Sequence, residues 1–215
     1  FYWSPYLGRV ATIRAVINSM IGLSNLSKGR FNISIINCYG EWDKQTSILK
    51  KKSINIINLQ KNIKFNTNTY GYVISRLIYL ISFFLSYKKL KNLLKQKRPD
   101  YLIVHLLTFI PLFLFLNNNF KTKLILRISG KPRLSLFRYL LWRFSNKHIH
   151  LVFCPTKETK SYLLKKNIFS KKKIKFLPDP VLYNSEINTL SEAKVLRKFK
   201  KNSYFLSKNN KNLAY

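Results

Sequence analysis

Lys123-Leu124-Ile125-Leu126-Arg127-Ile128-Ser129-Gly130-Lys131-Pro132-Arg133 reads as a strand, then a turn, then the approach to a helix. The apolar run closes on Arg127-Ile128-Ser129-Gly130. A cation, a hydroxyl and a flexible backbone therefore stand at one strand end, the place where open α/β sheets bind ligands. The same grammar recurs at Tyr101–His105 and at Leu151–Thr156, so several strand ends outline a crevice.

Outward from this stretch, runs rich in β-branched and aromatic residues occur at Phe1–Tyr6, Phe31–Cys38, Ile54–Leu59, Tyr101–His105, Lys123–Ile128, Leu151–Cys154 and Ile174–Leu177. Most are almost continuously apolar, as strands buried on both faces of a parallel sheet must be. Helical patterns separate them. Ile13, Val16, Ile17, Met20 and Ile21 share one helix face, with Thr12 suited to the N-cap. A long helical region from about Tyr70 to Lys97, broken near Ser86, ends in a basic run before Pro99. Pro132 fits the first turn of a helix whose Leu134, Phe137, Leu140, Leu141 and Phe144 form an apolar stripe, and Thr156 caps a shorter helix through Lys166. This alternation predicts an α/β fold: a doubly wound, mostly parallel, Rossmann-like sheet with helices on both faces.

The pattern changes after Leu177-Pro178-Asp179-Pro180, where the chain turns polar and Lys-rich. One domain is expected over residues 1–183, followed by a basic linker over 184–215 with a helix at Ser191–Lys200. The opening at Phe1 in mid-strand and the apolar residues near Tyr215 suggest the N-terminal part of a longer protein. The apolar stretches Val73–Tyr87 and Leu106–Leu116 fall short of the roughly 20 residues that span a bilayer.

Of 215 residues, 47% are hydrophobic and 15% aromatic, which excludes a disordered chain despite the charge. Forty Lys and Arg against seven Asp and Glu give a formal charge of +33 and attraction to phosphate-bearing partners. Roughly half of that excess matches the Lys-, Asn- and Ile-rich usage typical of AT-rich genomes. Cys38 and Cys154 lie in apolar runs without metal-ligand spacing or the density of a disulfide scaffold, which suits a reducing, cytoplasmic compartment.

Candidate chemistry follows from the strand ends. Gly8 and Arg9 precede a helix N-terminus that favours phosphate, or they form an ordinary tight turn. His105 can face a ligand hydroxyl or sit in the core. Arg127, Ser129, Gly130 and Arg133 offer a guanidinium fork, a hydroxyl and close backbone approach, unless Arg127 pairs with an acid such as Asp179 or Glu158. Glu41 and Trp42 could meet a sugar through carboxylate and indole, or belong to a loop with one packed ring. The basic runs Lys50–Lys52, Lys88–Arg98 and Lys171–Lys173 could hold anionic lipid. No Ser/His/Asp set, zinc spacing or phosphate-binding P-loop signature is present.

In chain order, Ser4-Pro5-Tyr6-Leu7-Gly8, His105-Leu106-Leu107-Thr108, Arg127-Ile128-Ser129-Gly130, Cys154-Pro155-Thr156 and Phe176-Leu177-Pro178-Asp179-Pro180 resemble the N-terminal half of family 4 glycosyltransferases of the GT-B fold. The similarity covers about residues 1–183 and carries function by analogy. It implies two Rossmann-like domains across a cleft, the first receiving the acceptor and the second holding the nucleotide sugar. It also implies transfer with retention, without cofactor or metal.

On that resemblance Gly8 and Arg9 lie near the donor diphosphate. Trp42, Glu41, His105, Arg127, Ser129, Gly130 and Arg133 are cleft or acceptor candidates, and the catalytic residue stays unassigned. The family's donor-contacting histidine has no evident counterpart, since this strand end carries Arg127-Ile128-Ser129. The donor domain would follow Tyr215, so the chain alone is expected to be inactive. The implied partners are a nucleotide sugar, a lipid-linked or polysaccharide acceptor of surface glycan synthesis such as lipopolysaccharide, and the anionic inner face of the cell membrane, peripherally. The competing reading is a non-enzymatic, basic membrane-surface or nucleic-acid-binding module. Nucleic acid is not expected, because the aromatics fall in core-like stripes.

Overall fold

The computed structural model describes residues 1–6, 12–60 and 72–180, with backbone only at 72–77 and 79. Seven strands form one sheet: β1 (Tyr2–Trp3), β2 (Ser34–Asn37), β3 (Asn55–Asn58), β4 (Tyr101–Val104), β5 (Lys123–Arg127), β6 (Ile149–Cys154) and β7 (Ile174–Phe176). All neighbours pair in parallel, in the order β3-β2-β1-β4-β5-β6-β7. The chain winds from β1 outward to β3, returns past β1 to β4, and winds the other way. This is the doubly wound, Rossmann-like α/β arrangement, with its switch point between β1 and β4.

The connecting helices are α1 (Thr12–Ser27), α2 (Thr46–Lys51), α3 (Tyr72–Lys97), α4 (Phe109–Leu116), α5 (Leu136–Ser145) and α6 (Lys157–Lys165). Right-handed crossovers put α1 and α2 on one face of the sheet and α3 to α6 on the other. The strand register agrees with two buried faces. Ile36, Trp3, Val104, Leu126 and Val152 form one row across the sheet and join a core with Leu90 and Leu94 of α3 and Leu112 of α4. The alternate row, Ile35, Tyr2, Ile103 and Ile125, faces the α1 side, where the Tyr2 hydroxyl lies 3.0 Å from Ser19 Oγ.

Several elements depart from the sequence expectation. β1 pairs only at Tyr2 and Trp3, since Pro5 has no N–H for a ladder. The α3 helix runs through Ser86 without a break, because Ser86 is buried and its hydroxyl lies 2.5 Å from the Tyr39 hydroxyl. Pro132 precedes α5 rather than opening it. Ser135 is the cap, accepting from the Arg138 N–H at 3.3 Å. The expected α5 stripe also splits: Leu141, Trp142 and Ser145 are buried, whereas Phe137, Leu140 and Phe144 are exposed. Thr156 caps α6 as anticipated, accepting from the Thr159 N–H at 3.0 Å.

Within α1, Val16, Met20 and Ile21 are buried, with Ala15 in place of Ile13 and Ile17. Residues Gly8 and Arg9, the segment 184–215 and its expected helix lie outside the described residues. No described helix is long and apolar enough to cross a membrane.

Candidate functional site

A cleft of about 1030 Å³ opens at the C-terminal ends of β4 and β5, beside the switch point. It gathers His105 with Arg127, Ser129, Gly130 and Arg133, so two strand ends far apart in sequence meet there. Parallel strands leave their carboxyl ends along one rim, and the loops that follow supply the walls.

His105 comes directly after β4. Its backbone N–H donates to the Trp3 carbonyl at 3.0 Å, which ties the loop to β1 across the switch point. The ring is buried and stacks on Tyr2, with centroids 6.0 Å apart and planes at 22°. Burial, and next the Arg127 charge, lower its pKa to about 3, so the imidazole is neutral. Its Nε2 has no hydrogen-bond partner. A buried polar atom without a partner costs desolvation energy, which makes this nitrogen an exception to the usual pairing of buried polar groups. Two residues on, Leu107 holds a φ of 45°, a left-handed conformation that a bulky L-residue rarely adopts, and such strain is often kept at ligand-binding loops.

Arg127 has a different setting from a free anion clamp. Its Nε donates to Asp179 Oδ1 at 3.1 Å, and its Nη2 donates to the same oxygen at 2.6 Å and to the Pro178 carbonyl at 2.9 Å. The ion pair joins the end of β5 to the segment leaving β7, and it reduces the field Arg127 sends into the cleft. Glu158, the other acid considered for it, instead lies 3.8 Å from Lys131 at the surface.

The remaining cationic rim consists of Lys131, Arg133 and Arg138, all exposed. Arg138 Nη1 donates to the Arg133 carbonyl at 2.8 Å, which folds the turn against α5. Trp142 gives the cleft an apolar wall packed on Phe169, and its Nε1 is a second buried donor without a partner. A Cβ at Gly130 would meet nothing within 4 Å, which fits an open wall rather than a packed turn.

Glu41 and Trp42 do not join this cleft. The Glu41 carboxylate turns inward to accept the N–H groups of Cys38 at 2.9 Å and Tyr39 at 2.6 Å. Trp42 is fully buried and meets Tyr6 edge to face at 5.3 Å. The acid satisfies the turn after β2 and the indole fills the space beneath it, so neither presents a face to a sugar. Among the described residues no group of three or more His, Cys, Asp or Glu could hold a metal ion.

A UDP-N-acetylglucosamine 2-epimerase from Rickettsia bellii superposes with a TM-score of 0.52 at 9% identity, over 90% of this chain and 49% of that one. The likeness is one of fold. A glycosyltransferase of kitacinnamycin (TM-score 0.49, 9% identity, 77% of this chain and 49% of that chain) and a calicheamicin glycosyltransferase (0.48, 14%, 76% and 49%) are also similar. The chain thus spans about half the length of each of these solved structures. No protein-family model and no curated protein sequence matches it.

Sequence reasoning missed Lys131, Arg138 and Trp142 as cleft residues. Lys131 and Arg138 bracket the Arg133 that was singled out, and charge on both sides of a turn that enters a helix is the signal that could have included them. Trp142 gave no such signal, since an aromatic on a helix reads as core.

Proposed function

We propose that the chain is the acceptor-side domain of a glycosyltransferase, which moves a sugar from a nucleotide-sugar donor to a lipid-linked or polysaccharide acceptor. The observation that carries this reading is the cleft beside the switch point, where His105 and Ser129 share walls with a rim of Lys131, Arg133 and Arg138. Imidazole and hydroxyl suit sugar hydroxyls, and the cations suit a phosphate. The apolar walls, including Phe109 and Trp142, suit a sugar face or a lipid stem. One solved structure that shares the fold is named for a nucleotide sugar, which fits the same substrate class.

In this mechanism the domain aligns the acceptor hydroxyl against a donor held by a second Rossmann-like domain, as in family 4 enzymes of the GT-B fold. The rim cations offset charge on the departing diphosphate. Transfer proceeds with retention and without a metal, at the cytoplasmic face of the membrane.

Titrating the 215-residue chain with UDP-N-acetylglucosamine and with short oligosaccharides, while following the Trp142 indole and His105 ring resonances, tests the reading. Shifts at those two rings support it. Silence toward every sugar ligand, together with RNA binding that falls steeply with salt, supports the nucleic-acid rival instead. Product anomers formed by the parent protein decide retention.

A further inference from the structure

The cleft holds many hydrogen-bond donors and few acceptors. None of its lining residues is Asp, Glu, Asn or Gln, and from residue 101 to residue 157 the chain contains no acid at all. Side-chain acceptors on the walls come from His105, Thr108, Ser129 and Ser135, and the Ser135 oxygen already accepts from the Arg138 N–H. The donors sit on Lys131, Arg133 and Arg138, where an ammonium carries three N–H groups and a guanidinium five.

Protein partners leave most of those donors open. Arg138 uses Nη1 on the Arg133 backbone carbonyl, and Lys131 reaches Glu158 only at 3.8 Å, between two exposed side chains. Among the described residues Arg133 forms no ion pair, and Asp179 is held by Arg127. A neutral sugar chain brings a donor with every hydroxyl and needs acceptors to receive it. An oxyanion brings acceptors alone, so it matches what these walls offer. The rest of the lining is largely apolar, with Leu80 of α3, Phe109 of α4 and Phe137, Leu141 and Trp142 of α5.

We propose that the cleft selects an acidic acceptor, a saccharide that carries a carboxylate or a phosphate beside an apolar group, and that Lys131 and Arg133 make the selection. The apolar group lies against Phe109 and Trp142, His105 and Ser129 meet sugar hydroxyls, and the acid meets the turn between β5 and α5. The acceptor's own anion thus occupies part of the cationic rim before a donor diphosphate reaches it. The inference rests on the glycosyltransferase reading and narrows its acceptor to a charged one.

Three matched probes test it by calorimetry at about 0.15 M salt: phenyl glucoside, phenyl glucuronide and phenyl glucoside 6-phosphate, which differ only at the sugar's sixth carbon. Either or both acids should bind about tenfold or more tightly than the neutral glucoside, and the tighter arm names the acid group. Lys131 and Arg133 are exposed, and the Arg133 carbonyl that holds Arg138 is backbone, so Lys131→Gln/Arg133→Gln should keep its melting temperature. That double variant should bring the acids to within about twofold of the glucoside without changing the glucoside's own affinity. Lys171→Gln/Lys172→Gln removes the same charge away from the cleft and should retain the preference. Equal binding of all three probes by the wild type overturns the proposal while leaving a sugar site in place. A preference that survives in the cleft variant, or is lost equally in the remote one, assigns it to net charge and overturns the proposal too. Binding of none of the probes overturns it together with the acceptor-domain reading.

Discussion

Arg127 Nη2 lies 2.6 Å from Asp179 Oδ1, and this contact fastens the end of β5 to the chain leaving β7. Arg127 lines the candidate cleft, so the pair sets where the β5 loop begins.

Removing Arg127 should therefore act first on stability. A fully buried pair that loses one partner costs about 3–5 kcal/mol. Asp179 keeps 27% exposure, so its abandoned charge stays partly solvated and the expected loss for Arg127→Ala is about 2–3 kcal/mol. Arg127→Lys should recover only part, since an ammonium cannot reproduce a fork that serves Asp179 and the Pro178 carbonyl together. Urea unfolding midpoints check both. A midpoint unchanged in Arg127→Ala would return Arg127 to a ligand-binding role.

His105 should behave in the opposite way. His105→Phe keeps a ring against Tyr2 and removes a buried nitrogen without a partner, so stability near neutral pH should change by no more than about 1 kcal/mol. Ligand binding in the cleft should fall about tenfold or more. The pH signature is separate. The unfolded ring takes a proton near 6.5 and the folded ring only near 3, so wild-type stability is fully present above 6.5 and falls as pH drops toward 3. That slope should flatten in His105→Phe, as measured by unfolding at pH 4 to 7.

The sheet was legible from local pattern because parallel strands buried on both faces leave continuous apolar runs, as Leu124–Leu126 does. The gathering of His105 with Ser129 and Arg133 followed from strand ends alone, since parallel strands share a rim. What local pattern could not supply was the choice among partners. The scarcity of acids offered Asp179 or Glu158 for Arg127, and the folded β5–β6–β7 order selects Asp179, 52 positions away. Ser86 read as a helix break because an isolated Ser weakens a helix, yet a tertiary partner decides its state. Trp42 read either as a sugar platform or as one packed ring, because an indole beside a carboxylate looks alike in a loop and beneath one, and the fold takes the packed alternative.

The Tyr39–Ser86 contact gives a third test. The Tyr39 hydroxyl lies 3.0 Å from the Ser82 carbonyl and 2.5 Å from Ser86 Oγ, all buried, and it seats α3 on the turn after β2. Ser86→Ala should cost about 1 kcal/mol, because Tyr39 keeps one partner and alanine favours the helix. Tyr39→Phe should cost more, about 1–2 kcal/mol, since it also leaves Ser86 Oγ buried without its partner. The double variant should fall short of the sum by about 0.5–1 kcal/mol, which a double-mutant cycle by chemical unfolding reads directly. Full additivity would mean that the two hydroxyls do not interact.

Glu41 gives a pH effect of the reverse sign from His105. Burial raises its pKa from 4.5 to about 7, outweighing the hydrogen bonds from Cys38 and Tyr39, while the Asp43 charge adds to the rise. Between those values the folded state holds a proton that the unfolded state has released. Its stabilising effect is complete below about 4.5 and lost as pH rises through about 7. Wild type should thus lose on the order of 1–3 kcal/mol from this group between pH 5 and 8. Glu41→Gln cannot ionise and should lose that slope, although its amide meets two N–H groups with only one oxygen and lowers stability throughout. Between pH 4.5 and 6.5 the Glu41 and His105 slopes oppose each other, so a flat wild-type profile there is compatible with both. The single variants separate them: with His105→Phe the profile should decline with pH, and with Glu41→Gln it should climb. Equal slopes in the two variants would count against both assignments.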